Sequence, residues 1–229
     1  MKSIILTGAN DGLGKSFGNL CVKQGIHVIA LCRKKPNYQC TFIETDLTEE
    51  SSMIKACNLI KEKYTDFDAF INCAGVMSLG KTKDISWNET KDVFLVNSIA
   101  PIFLIAQLKE LIIKNSADIL NVVSIMGTLF DIELDSVVYS SSKWALRGAS
   151  FNLESEFKDT PCRVITFNPG GMNTDLFRKY DENLSDMATN WMNTEDIADV
   201  MLYTLNLPKQ VEISEITISR KPNYRKDHK

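Results

Sequence analysis

The chain has 229 residues, 44% of them hydrophobic and 24% charged; this balance excludes a disordered chain and fits one folded domain with a substantial core, although length alone leaves room for two small ones. Lys and Arg total 26 against 29 Asp and Glu, a formal net charge of -3, so no whole-chain attraction draws it to nucleic acid or an anionic membrane. The six cysteines include no Cys-x-x-Cys pair, no apolar run reaches the roughly 18 residues of a membrane span, and the N-terminus lacks a cleavable signal pattern, so zinc and redox-dithiol chemistry are set aside and a cytoplasmic setting is expected.

A strand predicted over residues 4–7 runs into Thr7-Gly8-Ala9-Asn10-Asp11-Gly12-Leu13-Gly14, and a helix is predicted over 12–24. Strands follow at 27–32 and 40–45, then a helix at 49–64, a strand at 69–72 and a long helix at 87–114. The alternation continues with a strand at 119–124, a helix at 137–157, a strand at 163–168, a helix at 194–206 opened by Thr194, and a last strand at 215–219. Parallel strands need crossovers of a dozen residues or more, and right-handed crossovers stack helices on both faces. The fold class expected is therefore α/β: a doubly wound, mostly parallel, seven-stranded sheet. No repeat or linker divides the chain, so residues 1–229 are expected to form one domain. From 169 to 193, Gly, Asn, Asp and Ser mix with Met172, Leu176, Phe177, Tyr180, Met187 and Trp191, which predicts a lid with apolar inner contacts. The basic stretch at 220–229 reads as a solvated tail.

The glycines gain meaning from standing between a strand and a helix. Gly8 permits a tight turn, Gly12 lets backbone approach a pyrophosphate, and Gly14 permits close helix packing, while the helix N-terminus offers N–H groups to the anion. The spacing Gly-x-x-x-Gly-x-Gly departs from the commoner dinucleotide fingerprint, and an ordinary turn is the alternative. An NAD site expects an acid near the end of the second strand, yet none occurs between Asp11 and Glu44. Arg33, Lys34 and Lys35 stand there instead, where a guanidinium can pair with a 2'-phosphate. NADP is thus favoured over NAD, with a solvated basic turn as the alternative.

Tyr139 and Lys143 are four residues apart on a predicted helix, so both face one side. A neighbouring ammonium in a dry crevice can pull a phenol down from its usual value near 10. Chance alone supplies about 0.5 such pairs in a chain of this composition, so its company decides. Ser124 ends the fifth predicted strand, at the carboxyl edge where doubly wound folds bind ligands.

The set resembles the short-chain dehydrogenase/reductase family in its compact single-domain branch, over essentially the whole chain: the turn from Thr7 to Gly14, Asp46-Leu47, Asn72-Cys73-Ala74-Gly75, Asn97, Ser124, Tyr139 with Lys143, and Pro169-Gly170-x-x-x-Thr174. The resemblance implies that Asp46 and Leu47 hold the adenine, that Asn72, Ala74 and Gly75 line the adenosine side, and that Pro169, Gly170, Met172 and Thr174 border the nicotinamide. It gives Tyr139 the role of proton donor, Ser124 that of holding the carbonyl oxygen, Lys143 that of depressing the phenol's pKa and holding the ribose, and Asn97 that of pinning a relay water. Two positions depart from the family pattern: Cys73 replaces a commoner Asn, and Asp11 stands where NADP enzymes often carry a base. The implied activity is NADP-dependent reduction of a ketone, aldehyde or 3-oxo group. Its competitor from another class is a dinucleotide-binding sensor or scaffold; an extended-branch epimerase finds no room for its substrate domain. A homodimer or homotetramer is implied, with 87–114 and 137–157 as contact helices. Met126, Leu129, Phe130, Met172, Leu176, Phe177 and Trp191 suggest an apolar substrate pocket, although such residues also simply pack.

Overall fold

The computed structural model describes residues 1–129, 136–178 and 191–221. Among them, β1 (Ser3–Thr7), β2 (His27–Cys32), β3 (Thr41–Glu44), β4 (Ala69–Asn72), β5 (Asp118–Val122), β6 (Val164–Pro169) and β7 (Glu215–Ile218) form one sheet. Its order is β3-β2-β1-β4-β5-β6-β7, with every neighbouring pair parallel. The helices are α1 (Gly12–Lys23), α2 (Glu50–Lys63), α3 (Trp87–Phe94), α4 (Ala100–Lys114), α5 (Val137–Phe157), the short α6 (Asp175–Arg178) and α7 (Thr194–Asn206). The doubly wound α/β architecture expected from the alternation is the one observed.

Why helices lie on both faces is written in β1. Successive strand residues point to opposite sides, and Ile4, Ile5 and Leu6 are all buried, so both sides must be covered. Ile4 and Leu6 join Phe17 and Cys21 of α1 with Ile197 and Met201 of α7; Ile5 joins Ile60 of α2, Leu108 and Ile112 of α4, and Phe157 of α5. The helices so placed leave the carboxyl ends of the central strands open between them.

Three departures from the sequence reading bear on function. First, β5 stops at Val122, short of Ser124, because the Ser124 hydroxyl accepts from the Met126 N–H (3.1 Å) and opens a 3-10 turn at Ile125–Gly127. Second, the helix expected over 87–114 is interrupted by a π turn, Leu95–Ile99. Pro101 supplies the cause, since it has no N–H for the carbonyl of Asn97 four residues before. Third, the rod Trp87–Lys114, with a window of mean hydropathy 1.5, is long and apolar enough by length and composition to cross a membrane. This is an exception to the expectation that no segment is. Half of that window is buried, and Leu104, Ile105, Leu108 and Ile112 pack onto the sheet. Phe130, Tyr180, Met187 and residues 222–229 lie outside the described residues, as does the side chain of Phe177.

At the opposite rim, where the strands begin, a buried cation ties loops together. The Arg163 guanidinium meets Asp118 Oδ2 at 2.6 Å and the carbonyls of Leu205, Leu207, Pro208 and Val211 at 3.1, 3.2, 3.3 and 2.8 Å. Lys209 reaches the other oxygen of Asp118 at 2.6 Å.

Candidate active site

A crevice of about 1520 Å³ opens at the carboxyl edge of the sheet over β1 and β4, where the strand order reverses, the place at which open α/β sheets take ligands. It exceeds the roughly 300–1,000 Å³ of ordinary small-ligand sites, enough for a dinucleotide beside a second reactant.

One end is the glycine turn. Gly8 and Gly12 hold φ of 69° and 48°, conformations that a side chain disfavours. A Cβ on Gly8 would lie 2.7 Å from Cα of Ala74, and one on Gly14 would lie 2.2 Å from the Gly8 carbonyl oxygen. Gly8 therefore lets the turn rest on the segment after β4, and Gly14 lets α1 begin directly beneath it. Thr7 Oγ1 fixes that contact by accepting from the N–H groups of Cys73 (3.0 Å) and Ala74 (3.1 Å). Asn10, Asp11, Gly12 and Leu13 line the crevice, so the positive end of α1 borders it. The Asp11 carboxylate caps the helix, taking the Gly12 N–H at 2.7 Å.

Arg33 and Lys34, exposed after β2, stand at the rim. Asp46 and Leu47 line the same end. The Asp46 carboxyl lies below its usual range, chiefly because it accepts from the Thr48 N–H (2.9 Å), with further help from the Thr48 hydroxyl (2.7 Å) and from Arg33. Ala74 and Gly75 also line the crevice; a Cβ on Gly75 would come within 3.5 Å of Lys143 Nζ. Asn72 does not line it. Its register with Asn121 across β4 and β5 turns its amide sideways, and Nδ2 donates to Asn121 Oδ1 at 2.8 Å. Pro169, Gly170, Met172 and Thr174 follow β6 and border the crevice.

At the far end Tyr139 and Lys143 project from α5, 5% and 3% exposed, with Lys143 Nζ 5.8 Å from the phenol ring centroid. Burial pushes the Tyr139 phenol up to about 12, against a hydrogen bond with Ser124 that lowers it. This runs opposite to the expectation of a phenol depressed by its neighbouring ammonium: loss of water around the ring outweighs the bond with Ser124. Burial likewise brings Lys143 down to about 8, and its ammonium donates to the Val122 carbonyl at 3.0 Å. Asn97 lies in the π turn and outside the crevice lining. Its amide is consumed by the backbone of Val76, accepting from N–H at 2.9 Å and donating to the carbonyl at 2.8 Å, and it also donates to Ser142 Oγ at 3.0 Å.

Several supporting residues escaped the sequence reading. Ser140 bonds the Met126 carbonyl (2.7 Å), and Ser98 bonds the Ser142 carbonyl (2.7 Å), fastening α5 to both neighbouring turns. Gly127 makes room for α5, since a Cβ there would lie 3.0 Å from the Lys143 backbone. Glu89, Asp92, Val93 and Val96 line the crevice from α3 and the π turn; their i, i+3, i+4, i+7 spacing was a readable signal.

A family model described as short chain dehydrogenase matches residues 2–185. The chain belongs to that family. A protein of Staphylococcus aureus strain N315 named an uncharacterized oxidoreductase is 28% identical over 228 residues, 95% of this chain and 96% of the relative. Another from Staphylococcus saprophyticus is 28% identical over 233 residues, with the same shares covered. Among solved structures, the closed form of a serine dehydrogenase complexed with NADP+ superposes with a TM-score of 0.85 at 18% identity, covering 94% of each chain. A 4-hydroxyisoleucine dehydrogenase complexed with NADH gives 0.82 at 23% identity, covering 94% of this chain and 95% of the other. Such identities speak for the fold, and the two complexes hold different coenzymes.

In this short-chain dehydrogenase, the crevice around Tyr139 is apolar. Met77, Met126 and Tyr139 form a small buried cluster against Leu79, Ile125 and Leu176. Met126, Leu129, Met172, Leu176 and Trp191, five of the residues proposed from sequence for a substrate pocket, line the crevice. Met172 forms a parallel bridge to Met192, with Asn173 N–H on the Met192 carbonyl at 3.0 Å. The two ends of the irregular stretch are thereby joined beside the crevice.

Proposed function

We propose that the protein reduces ketone, aldehyde or 3-oxo groups with NADPH, Tyr139 serving as proton donor. The observation that carries this reading is that Ser124, Tyr139 and Lys143 line the same crevice as the glycine turn. The donor set and the glycine geometry at that turn fit a dinucleotide, whose nicotinamide, when bound, supplies hydride to the carbonyl carbon. As negative charge grows on the carbonyl oxygen, Tyr139 releases its proton to it. Raised by burial to about 12, the phenol stays protonated at neutral pH and is ready to donate. The Ser124 hydroxyl, bonded to the phenol, holds the same oxygen in a dry setting. Lys143, brought down to about 8, stays mostly charged near neutral pH, and its positive form favours the phenolate left behind. Asn97 acts by clamping Val76 and, by its resemblance to the family, would pin a relay water.

Arg33 and Lys34 would take a 2'-phosphate, with Asp46, Leu47, Ala74 and Gly75 around the adenosine and Pro169, Gly170, Met172 and Thr174 around the nicotinamide. Asn72 drops out of this set. Completing the reading are one catalytic domain with 169–193 as its lid, a cytoplasmic setting, and assembly of copies through the rod Trp87–Lys114 and α5, where Trp87, Ile99, Ile102 and Phe151 are exposed.

The test is NADPH oxidation across a panel of carbonyl compounds, repeated with NADH. Tyr139→Phe is expected to lower turnover by about 10²- to 10⁴-fold while NADPH still binds in a fluorescence titration. Near-normal turnover in that variant rejects the role of Tyr139, and a preference for NADH rejects that of Arg33. Tight binding with no turnover on any compound makes the protein a sensor or scaffold instead.

A further inference from the structure

A second tyrosine links the two parts of the coenzyme end. Tyr38 lies in the connection from β2 to β3, shortly after Arg33-Lys34-Lys35-Pro36. Its ring packs against the core cluster beneath α1, and its hydroxyl donates to the carbonyl of Ala9, inside the glycine turn, at 3.0 Å. Space for the ring is kept by Gly18 in the middle of α1, where a Cβ would lie 2.0 Å from the Tyr38 oxygen. Nothing about α1 asks for glycine at that position: its φ is ordinary for a helix, and glycine weakens a helix interior. The aromatic ring accounts for it.

Little else holds the connection that Tyr38 anchors besides the Cys32 thiol, which donates to the Lys34 carbonyl at 3.1 Å. Arg33, Lys34, Lys35, Asn37 and Gln39 are exposed, and only Pro36 among residues 33–39 is buried besides the half-buried Tyr38. Three adjacent like charges repel one another, and a loose loop would spread its cations over many positions. A phosphate binding there would have to order them, at a cost in affinity.

We propose that Tyr38 is a positioning residue for the dinucleotide: by bonding the glycine turn while belonging to the basic turn, it fixes the two at one separation, so that a ligand bearing both a pyrophosphate and a 2'-phosphate meets them together. The inference rests on the dinucleotide reading above. It makes Tyr38 matter more for NADPH, which engages both turns, than for NADH, which lacks the second phosphate.

Tyr38→Phe removes only the hydroxyl. The dissociation constant for NADPH is expected to rise about fivefold, the equivalent of one ordinary hydrogen bond, with that for NADH and the saturated turnover changing by less than about twofold. Amide hydrogen exchange over 33–40 in the ligand-free protein is expected to speed up. Gly18→Ala, which drives the ring off Ala9, should give the same selective loss, larger in size. Because Tyr38 acts through Arg33, Arg33→Ala combined with Tyr38→Phe should bind NADPH no more than about twofold more weakly than Arg33→Ala alone. Unchanged NADPH affinity, equal weakening of both coenzymes or unaltered exchange would each overturn the inference. A wild-type protein that binds neither coenzyme fails differently: it removes the dinucleotide reading, and this inference with it.

Discussion

Lys143 is a cation kept in a dry place, and its burial works against folding. The unfolded chain holds that proton up to about 10.5, whereas the folded chain releases it at about 8. The destabilisation is therefore complete below pH 8 and fades as pH rises from 8 toward 10.5. Lys143→Met should stabilise the protein at pH 7 by up to about 3 kcal/mol, visible as a melting temperature several degrees higher, and the gain should shrink in melts at pH 9.5. The same variant should lose turnover. Tyr139 behaves in the opposite sense: its stabilising burial as a neutral phenol is intact below pH 10 and disappears as pH climbs to about 12. The positions of both groups were legible in the sequence, since four residues on a helix bring two side chains to one side. The direction of the phenol's shift was not, because spacing carries no information about how completely water is excluded. Asn72 illustrates a related gap: a strand-end position was readable, while the turn of its amide toward Asn121 depends on a register that only the assembled sheet defines.

At the scale of elements, periodicity located each strand and each long helix among the described residues to within a few residues, yet it passed over the π turn. A 28-residue apolar pattern absorbs the slip of one residue without a visible change of phase, although Pro101 was the sign that a break was near. The turn brings Asn97 against Val76, and the three bonds its amide makes hold the end of the segment after β4 to α5 through Ser142. Asn97→Ala would leave the Val76 N–H and carbonyl without those partners, a loss of about 2–4 kcal/mol in urea denaturation. Turnover should fall by about tenfold or more, because Gly75 and the Lys143 ammonium sit beside the released segment. A variant with unaltered stability and rate would show that the π turn holds itself.

For the molecule as a whole, alternating strands and helices were enough to foresee a doubly wound sheet and a crevice at its carboxyl edge. The clamp at the other rim was not foreseen, because Asp118, Arg163 and Lys209 are distant in sequence and no short motif joins them. Arg163 is 4% exposed and shares Asp118 with Lys209. Arg163→Met leaves the buried Asp118 with only the half-exposed Lys209 and takes the donor from four carbonyls, so it should lower stability by about 3–5 kcal/mol in urea denaturation. Affinity for the dinucleotide should stay unchanged under native conditions, since none of these three residues lines the crevice.

That clamp has a longer consequence. The frame is braced where strands begin, while the reactive surface is displayed where they end, so mutations that reshape the methionine-walled chamber need not loosen the brace. A lineage built on this plan can shift from one substrate to another while inheriting the same chassis.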